Sequence, residues 1–435
     1  MTQTRPLLRS IGFGDPVPTR GAPLDPDTVR VAAEILSDVD AGGENAVIEH
    51  AVRLGDINAG ESVVRDRADL AAALHRLPPQ TRSLLERTAD RIRGFASAQR
   101  ACVRDLEFPI PSGFAGHTWL PVSSAGCYAP GGRFPLPSSV LMTAVTARAA
   151  GVEHVWVASP KPTDATLAAA AIAGADGLLA VGGAQAIGTF RRGLFGAPAC
   201  DMIVGPGNRW VTAAKQLVSA DVGIDMLAGP SELLVLADAS ADPKIVAADL
   251  LAQAEHDDDA VPMLVTTDQS LPPRVDAELR RQLATLPTAP VAIRALANGF
   301  SLVCTDMSEA VAFCDRSAPE HLEILCDQAA SIALLLKNAG AIFIGSLSAE
   351  ALGDYGAGPN HVLPTSGTAR FRAGLSVFTF LRARTWLRIT DPTAAHPLMR
   401  DAAALARLER LEAHARSSDT RIPARSTPTD SAASS

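Results

Sequence analysis

An amide and an imidazole lie one turn apart at the end of a predicted helix, where both could bind one ion. The helix is predicted to begin near Asp242 and Pro243, and Gln253 and His256 follow on one face, three residues apart. Amide oxygens and imidazole nitrogens are both possible metal ligands. Two ligands do not define a metal site, and an exposed helix end before the acidic run 257–259 explains the same residues.

A carboxylate and an imidazole stand side by side at Glu320 and His321, after a proline. Such a pair can supply a general base and an acid–base partner when its surroundings separate the two pKa values. An isolated Glu-His pair also occurs on solvated surfaces. The loop 353–361 is more specific, because so much glycine around Asp354 and His361 has little purpose other than presenting those side chains. Asp354 is a candidate metal ligand, and His361 is a candidate acid or anchor.

Glu409 and His414 lie five residues apart on a predicted C-terminal helix over residues 400–416. An exposed amphipathic helix explains this spacing as well as a site does. Three leucines between residues 405 and 411 form one stripe of the helix, so we expect it to pack against an apolar surface.

Three apolar runs lead into glycine-rich turns that carry Tyr128, Gln185 and Asn208. In open α/β sheets ligands bind at the carboxyl ends of strands, where glycines let backbone N–H groups approach a phosphate. None of these turns is a complete G-x-G-x-x-G, and each taken alone is explained by a tight turn. Three polar side chains at equivalent positions of successive units together predict a nucleotide cleft.

Short apolar strands alternate with helices from residue 117 onward. The predicted strands are 155–158, 178–181, 202–204, 233–237, 263–266, 302–305 and 341–344. This alternation predicts an α/β fold of parallel sheets covered by helices, and the number of units favours two sheets. A helical block precedes the strands. Asp27 is the predicted cap of a first helix that stops at Gly42 and Gly43, and Pro79 begins a long helix that ends near Asp105.

The composition indicates a globular protein with small-molecule partners. The chain has 435 residues, of which 47% are hydrophobic and 4% aromatic, which suits helices packed closely on parallel strands. A net charge of −8 without a basic stripe argues against nucleic acid as the main partner. The six cysteines include no C-x-x-C pair, and we find neither a signal sequence nor an apolar run long enough for a membrane. We therefore expect reduced thiols in a cytoplasmic enzyme.

Taken together, these stretches resemble the histidinol dehydrogenase family, whose members catalyse the last two steps of histidine biosynthesis. The resemblance extends from about residue 27 to residue 416. The matching stretches are 128–132, 182–187, 205–208, 228–232, 249–256, 318–322, 353–365 and 411–414. So many matches in the same order are specific to this superfamily.

The resemblance implies a role for each candidate side chain. The positions that match the family's zinc ligands are Gln253, His256, Asp354 and His414. Those that match its acid–base pair are Glu320 and His321. Those that match its substrate contacts are Ser231, His361 and Glu409, together with His321 and the four zinc ligands. Those that match its NAD contacts are Tyr128, Gln185 and Asn208.

The implied reaction oxidises histidinol through histidinal to histidine with two NAD. His321 takes the alcohol proton, Glu320 activates water for attack on the aldehyde, and zinc positions the substrate through its amino and imidazole nitrogens. The family forms homodimers in which the C-terminal helix reaches the partner's site. Glu409 and His414 are therefore expected to act in trans.

The resemblance also implies two incomplete Rossmann-like modules that face each other across a cleft, the second inserted in the first. The expected segments are an arm that is ordered only where it docks (1–24), a first α/β module with the catalytic and metal residues (25–127 and 232–375), a second α/β module that binds NAD (128–231), a dimer-swapped helical extension (376–416) and a disordered tail (417–435).

Departures from the family pattern bear on the substrate. Residues 188–196 replace an aromatic-Gly-Thr-Glu turn, the acidic run 257–259 replaces Gly-Pro, and residues 54–56 replace a Phe-Asp element. Relatives with this scaffold oxidise other small alcohols such as sulfopropanediol, and residues 95–105 and 126–133 look like theirs. Ser231 and the residues 318–319 favour histidinol. The alternative interpretation is a paralogue that oxidises another amino or sulfo alcohol, and the third interpretation is a non-catalytic metal-binding protein.

Overall fold

We analysed the protein as a computed structural model, which describes residues 5–18, 24–131 and 135–422. The chain divides into two compact units, which we describe separately. The first unit comprises Met1–Ala101 and Pro121–Leu381, and the second comprises Cys102–Leu120 and Arg382–Ser435. Among the described residues, no helix is both long and apolar enough to cross a membrane.

The elements alternate along the chain as the sequence pattern predicts. The first half contains β1 (Arg9–Ile11), α1 (Pro26–Arg53), β2 (Val64–Arg65), α2 (Arg67–Arg76), α3 (Pro79–Ala101), β3 (Leu106–Ile110), β4 (Gly113–Pro121), β5 (Ser124–Tyr128), α4 (Pro137–Ala150), β6 (His154–Ala158), α5 (Asp164–Ala173), β7 (Gly177–Leu179), α6 (Gly183–Arg192), β8 (Met202–Val204), α7 (Arg209–Val218) and β9 (Gly223–Ile224). The second half contains β10 (Glu232–Ala237), α8 (Pro243–Ala254), β11 (Val261–Thr266), α9 (Leu271–Leu283), α10 (Ala289–Leu296), β12 (Phe300–Val303), α11 (Met307–Ser317), β13 (His321–Leu325), α12 (Ala329–Ala333), β14 (Ala341–Ile344), α13 (Glu350–Asp354), β15 (Leu381–Ile389), α14 (His396–Leu408) and α15 (Glu412–Asp419).

The first sheet has six strands in the order β1-β12-β11-β10-β13-β14, and all its neighbours are parallel. Its central strands are continuous apolar runs, and every residue of β10 and β11 is buried, because helices cover both faces. The N-terminal arm docks here. Strand β1 pairs with β12 at the sheet edge, and Leu8 is buried in the core below it. Residues 1–4 and 19–23 of the arm lie outside the described residues.

The second sheet also has six strands, in the order β2-β7-β6-β5-β8-β9, with β2 antiparallel to β7 and the other pairs parallel. All of its strands lie between β1 and β10 in sequence, which confirms the α/β fold of two sheets with one inserted in the other. The expected module boundary at residue 128 differs from the structure. Strand β5 belongs to the second sheet, and helices α1 to α3 pack on α4 to α7, because their apolar faces share its cores.

Helix α1 begins earlier and continues further than the sequence predicts. Its cap is Asp25, whose carboxylate accepts from the Thr28 N–H at 2.9 Å, and Asp27 lies in the first turn. The glycines at 42 and 43 do not end the helix. Gly43 takes a φ of +56°, which kinks the helix, and apolar residues on both sides of the kink pack on the second sheet. Tertiary packing therefore outweighs the local preference of the glycine pair.

The second unit combines a sheet in the order β15-β4-β3 with helices α14 and α15, which pack on each other. The extension 376–416 was expected to be helical, yet it includes the nine-residue strand β15. The single helix expected over 400–416 is also wrong, since Arg410 takes a φ of +62° and separates α14 from α15. The expected tail begins too early, because residues 417–419 belong to α15, and residues 423–435 lie outside the described residues.

Candidate active site

One large cleft of the first unit is lined by residues from both sheets. The second sheet contributes the carboxyl ends of its strands, through Tyr128 at the end of β5 and the turns after β7 and β8. The first sheet contributes its amino ends, through Ser231 before β10, Val261 at the start of β11 and residues 320–321 at the start of β13. The two sets of strand ends thus face the same space.

Glu320 and His321 are placed by the junction between α11 and β13. Helix α11 ends at Ala318, which is buried and takes the left-handed conformation with a φ of +44°. This conformation is unfavourable for a residue with a Cβ and is found where the surroundings require it. Pro319 then leads into β13, where His321 pairs in register with Leu233 of β10. Both members of the predicted acid–base pair are consequently fixed on a rigid central strand.

The Glu320 carboxylate is buried and hydrogen-bonded from one side. Its Oε2 accepts from Ser231 Oγ at 2.7 Å and from the Glu232 N–H at 2.9 Å. Burial raises the pKa of Glu320 to about 7, although these two hydrogen bonds favour the ionised form and lower it. A carboxyl group with this pKa can both take and release a proton near neutral pH.

His321 has one ring nitrogen committed to the backbone and one directed at carboxylates. Its Nδ1 donates to the Glu232 carbonyl at 2.9 Å, which fixes the neutral ring in the tautomer whose Nε2 carries the lone pair. That Nε2 lies 3.6 Å from Glu350 Oε1 and 4.0 Å from Asp354 Oδ1. His321 Nε2 is therefore the atom that can accept a proton from a substrate.

Three side chains in the described chain come together as possible metal ligands: His256, Glu350 and Asp354. One ligand atom from each lies within 4.8 Å of the others, and His256 Nε2 is 3.3 Å from Asp354 Oδ2. Burial lowers the pKa of His256, but the hydrogen bond and charge of Asp354 raise it to about 9. A cation that binds here must displace that proton.

Glu350 was missed by the sequence analysis. It begins α13 and lies one helical turn before Asp354, so the four-residue spacing of two acids before a glycine-rich loop could have indicated it. Its side chain is only 1% exposed, and neither carboxylate oxygen has a hydrogen-bond partner within the described residues. Burial raises the pKa of Glu350 to about 7, and a cation beside the carboxyl group would favour its ionised form.

Gln253 also has buried polar atoms that could bind a cation. It lies in α8 and is fully buried, yet neither its amide oxygen nor its amide nitrogen has a hydrogen-bond partner within the described chain. His256 lies just past the end of α8, where its N–H donates to the Gln253 carbonyl at 3.3 Å and preserves a helical turn. The oxygen and nitrogen donors of this cluster fit a divalent ion such as zinc.

Helix α3 holds the loop that carries Asp354 and His361. The Arg91 guanidinium donates to the Gly356 carbonyl at 2.7 Å. His361 is fixed between two partners, because its Nδ1 donates to the Asp354 carbonyl at 3.0 Å and its Nε2 accepts from Ser139 Oγ at 3.3 Å. Burial lowers the pKa of His361, so its ring is neutral at neutral pH.

The three predicted dinucleotide contacts all line the cleft, but their side chains already have structural partners. The Tyr128 hydroxyl accepts from the Gly183 N–H at 3.3 Å. Asn208 caps α7 by accepting from the N–H groups of residues 210 and 211. Gln185 donates to Asp56 Oδ2 at 3.1 Å. These side chains therefore shape the turns at the strand ends, where backbone groups are available to a ligand.

Asp56 was not selected from the sequence as a site residue. It follows α1 and accepts from the Gly182 N–H at 2.8 Å as well as from Gln185. It therefore fixes the turn that begins α6, although it comes from a distant part of the chain. Sequence spacing carries no signal for such a contact.

Glu409 and His414 lie in the second unit. Glu409 ends α14, His414 lies in α15, and both are exposed. The cluster in the first unit brings together His256, Glu350 and Asp354. Of the acidic run after His256, Asp257 and Asp259 also line the cleft, whereas Asp258 forms an ion pair with Arg294 at 2.9 Å.

Comparison with known proteins agrees with this geometry. A sequence profile of the histidinol dehydrogenase family matches residues 20–422. The chain is 42% identical to histidinol dehydrogenase from Ralstonia nicotianae, over 90% of this chain and 91% of that one. It is 44% identical to histidinol dehydrogenase from Thermus thermophilus, over 92% and 96% of the two chains.

The fold is also similar to that of a solved histidinol dehydrogenase. The crystal structure of histidinol dehydrogenase from Elizabethkingia anophelis is similar with a TM-score of 0.90 and 29% identity, over 97% of this chain and 99% of that one. Both the sequence matches and the structural match extend across both sheets and the residues of the cleft. The chain belongs to the histidinol dehydrogenase family and is an oxidoreductase.

Proposed function

We propose that the protein is a zinc-dependent histidinol dehydrogenase that oxidises L-histidinol through histidinal to L-histidine with two NAD. The observation that carries the proposal is the buried pair Glu320 and His321 beside the ligand cluster around Glu350. Together they offer a fixed base, a carboxyl group that titrates near neutral pH, and a position for a cation. Family membership supports the choice of substrate.

Gln253, His256 and Asp354 would hold the zinc ion, and His414 would complete the set. A zinc ion bound there would orient the amino and imidazole nitrogens of the alcohol. Burial raises the pKa of Glu350, and a bound cation would favour its ionised form, whose charge would attract both the ion and a cationic substrate. Ser231, His361 and Glu409 are the further proposed substrate contacts.

His321 acts as the base in the first oxidation. Its Nε2 takes the hydroxyl proton of histidinol while the hydride leaves the same carbon for NAD, which gives histidinal and NADH. The Glu232 carbonyl on Nδ1 holds the ring in the required tautomer and stabilises the imidazolium that forms.

Glu320 acts in the second oxidation. Its carboxylate takes a proton from water as the oxygen attacks the aldehyde carbon, and the His321 imidazolium gives its proton to the former carbonyl oxygen, which yields the hydrated aldehyde and a neutral His321. His321, again neutral, takes a hydroxyl proton as the second hydride leaves for a second NAD, and histidine results. Tyr128, Gln185 and Asn208 form the turns at which we place the dinucleotide.

We further propose that Glu409 and His414 serve the site of a second copy of the chain. Both are exposed, and so are Leu405, Leu408 and Leu411 on the same segment, which therefore has apolar surface available for a partner. A segment exchanged between identical chains makes the same contacts on either one.

Histidinol-dependent NADH formation by the purified protein tests the proposed activity. We expect NADH with histidinol and zinc. Reduction of NAD with sulfopropanediol but not histidinol would instead identify a paralogue for another alcohol. A protein that binds metal but reduces no NAD with either alcohol would not be an alcohol dehydrogenase.

Mixing a His256→Ala protein with a His414→Ala protein, after they are unfolded and refolded together, tests the trans arrangement. If His414 serves the partner, a mixed dimer has one intact site, and activity recovers to roughly a quarter of wild type when about half of the dimers are mixed. If His414 serves its own chain, every site lacks one ligand and no activity returns.

A further inference from the structure

A lysine and an aspartate form a completely buried ion pair beside the dinucleotide end of the cleft. Lys215 lies on α7, and Asp225 directly follows β9. Their side chains are 2% and 1% exposed, and the Lys215 ammonium donates directly to Asp225 Oδ1. Neither residue takes part in the proton transfers described above.

The two side chains form hydrogen bonds to the N–H and the carbonyl group of one glycine, Gly205. The Gly205 N–H donates to Asp225 Oδ2 at 2.7 Å, and Lys215 Nζ donates to the Gly205 carbonyl at 3.1 Å. Asp225 is itself fixed, because its Oδ1 also accepts from the Met226 N–H at 2.6 Å. Charge-assisted hydrogen bonds of this kind are stronger and more directional than neutral ones.

Gly205 can hold this position only as a glycine. Its φ is +112°, and a Cβ at residue 205 would lie 2.0 Å from the Tyr128 carbonyl oxygen. The turn thus lies directly against the end of β5. Asn208 follows after two residues and caps α7, the helix that carries Lys215. The ion pair, the turn and the helix N-terminus therefore form one closed structure.

A buried ion pair is a poor way to stabilise a fold, because the desolvation of two charges offsets most of their attraction. A buried pair instead fixes the local geometry, because each buried charge must remain in contact with its partners. The turn after β8 has no long side chain directed at the cleft, so its usefulness to a ligand depends on where its backbone lies.

We propose that Lys215 and Asp225 are positioning residues of the dinucleotide subsite, which act by holding the turn 205–208 at the end of β5. This inference rests on the proposed use of NAD. Neither Lys215 nor Asp225 is among the residues that line the cleft, so the pair acts through Gly205. Loss of the pair is expected to weaken dinucleotide binding and to leave the zinc cluster unchanged.

The test variant is Lys215→Met/Asp225→Asn, which removes both charges together and so leaves none buried alone. We expect the Kd for NAD, measured by fluorescence titration without alcohol, to rise roughly tenfold, because small misplacements of a binding group are costly. The KM for NAD should rise in parallel, whereas the KM for the alcohol and the zinc content should stay near wild type.

Val218→Ala is the matched control, because Val218 is buried at the C-terminal end of the same helix, whereas the turn lies at its N-terminal end. It should lower the melting temperature with little change in the Kd for NAD. An unchanged Kd in the double variant, or an equal rise in Val218→Ala, would overturn the inference.

Two further measurements keep the result decisive. Wild type is titrated first, and a failure to bind NAD would overturn the proposed function and this inference together, whereas a failure confined to the variants concerns the ion pair alone.

If the double variant does not fold, Asp225→Glu is used, since it keeps both buried charges but displaces the carboxylate by one methylene group. We then expect a smaller rise in the same Kd, and no rise would overturn the inference.

Discussion

The two sheets present opposite ends to the same cleft, and the chemistry differs accordingly. At the second sheet, strands end and helices begin, so that the N-termini of α6 and α7 point toward the cleft. At the first sheet, helices end and strands begin, so that the C-termini of α8 and α11 lie beside the cluster. Helix N-termini favour anions such as phosphates, and helix C-termini favour cations. The first end thus suits a dinucleotide and the second a metal ion.

The side chains follow the same division. Buried acids and imidazoles supply the groups that act at the first sheet, among them Glu320, His321 and Glu350. At the second sheet, Asp56 and the Lys215–Asp225 pair form hydrogen bonds to the backbone of the glycine turns and so support them. Proton transfer requires charged side chains in contact with substrate, whereas dinucleotide binding requires backbone that a ligand can approach closely.

The largest effect is expected from His256→Ala at the metal end. The variant should lose zinc and turnover, because two of the remaining candidate ligands are carboxylate and amide oxygens that bind zinc more weakly than imidazole. Its melting temperature without metal should stay within a few degrees of wild type. Metal analysis and calorimetry check this, and a metal-free His256→Ala protein with full activity would refute the metal assignment.

His321→Asn should separate base catalysis from metal binding. We expect kcat for histidinol oxidation to fall by about 10²–10⁴-fold, the usual contribution of a general base. Zinc content and the Kd for NAD should remain near wild-type values, because His321 is neither one of the proposed zinc ligands nor part of the glycine-rich turns. A variant that retains more than about a tenth of wild-type kcat would exclude His321 as the base.

Asp56→Asn is the corresponding change at the dinucleotide end. The amide can still accept one hydrogen bond, but it loses the charge that strengthens the contacts to Gly182 and Gln185. We expect the KM for NAD to rise by about five- to tenfold, with the KM for histidinol unchanged. A rise in both constants would indicate that the two ends are not independent.

Ser231→Ala should produce the smallest effect, a shift in pH dependence. The Ser231 hydroxyl donates to Glu320 and favours its ionised form, so its loss raises a pKa that burial has already brought to about 7. The acidic limb of the kcat profile should therefore move upward by about one pH unit. A downward shift would contradict the assigned role of this hydrogen bond.

The sequence predicted the strands and the strand-end turns well, because apolar runs and glycines are local signals. The predicted strands 202–204 and 341–344 coincide with β8 and β14. Strand β15 was missed because the family resemblance implied a helical extension over residues 376–416. The turn at Arg410 also carried no local signal, because arginine rarely takes a positive φ.

Within the site, the residues predicted from the sequence were those with a local signal, either a reactive side-chain type or neighbouring glycines. They did not include Glu350, Asp56, Lys215 or Asp225, whose roles arise from burial and from contacts between distant segments. A glutamate on a surface helix and one sealed beside an imidazole look alike in sequence. Only the packing distinguishes them.

If Glu320 and His321 together perform both oxidations, the yield of NADH from limiting histidinol will show it. We expect two NADH per histidinol for wild type, with histidine as the product. We expect about one for Glu320→Gln in a single turnover, with histidinal trapped by an added hydrazine, because the water step is lost while His321 remains. One NADH per histidinol from wild type, or two from Glu320→Gln at the wild-type rate, would contradict these roles of the pair.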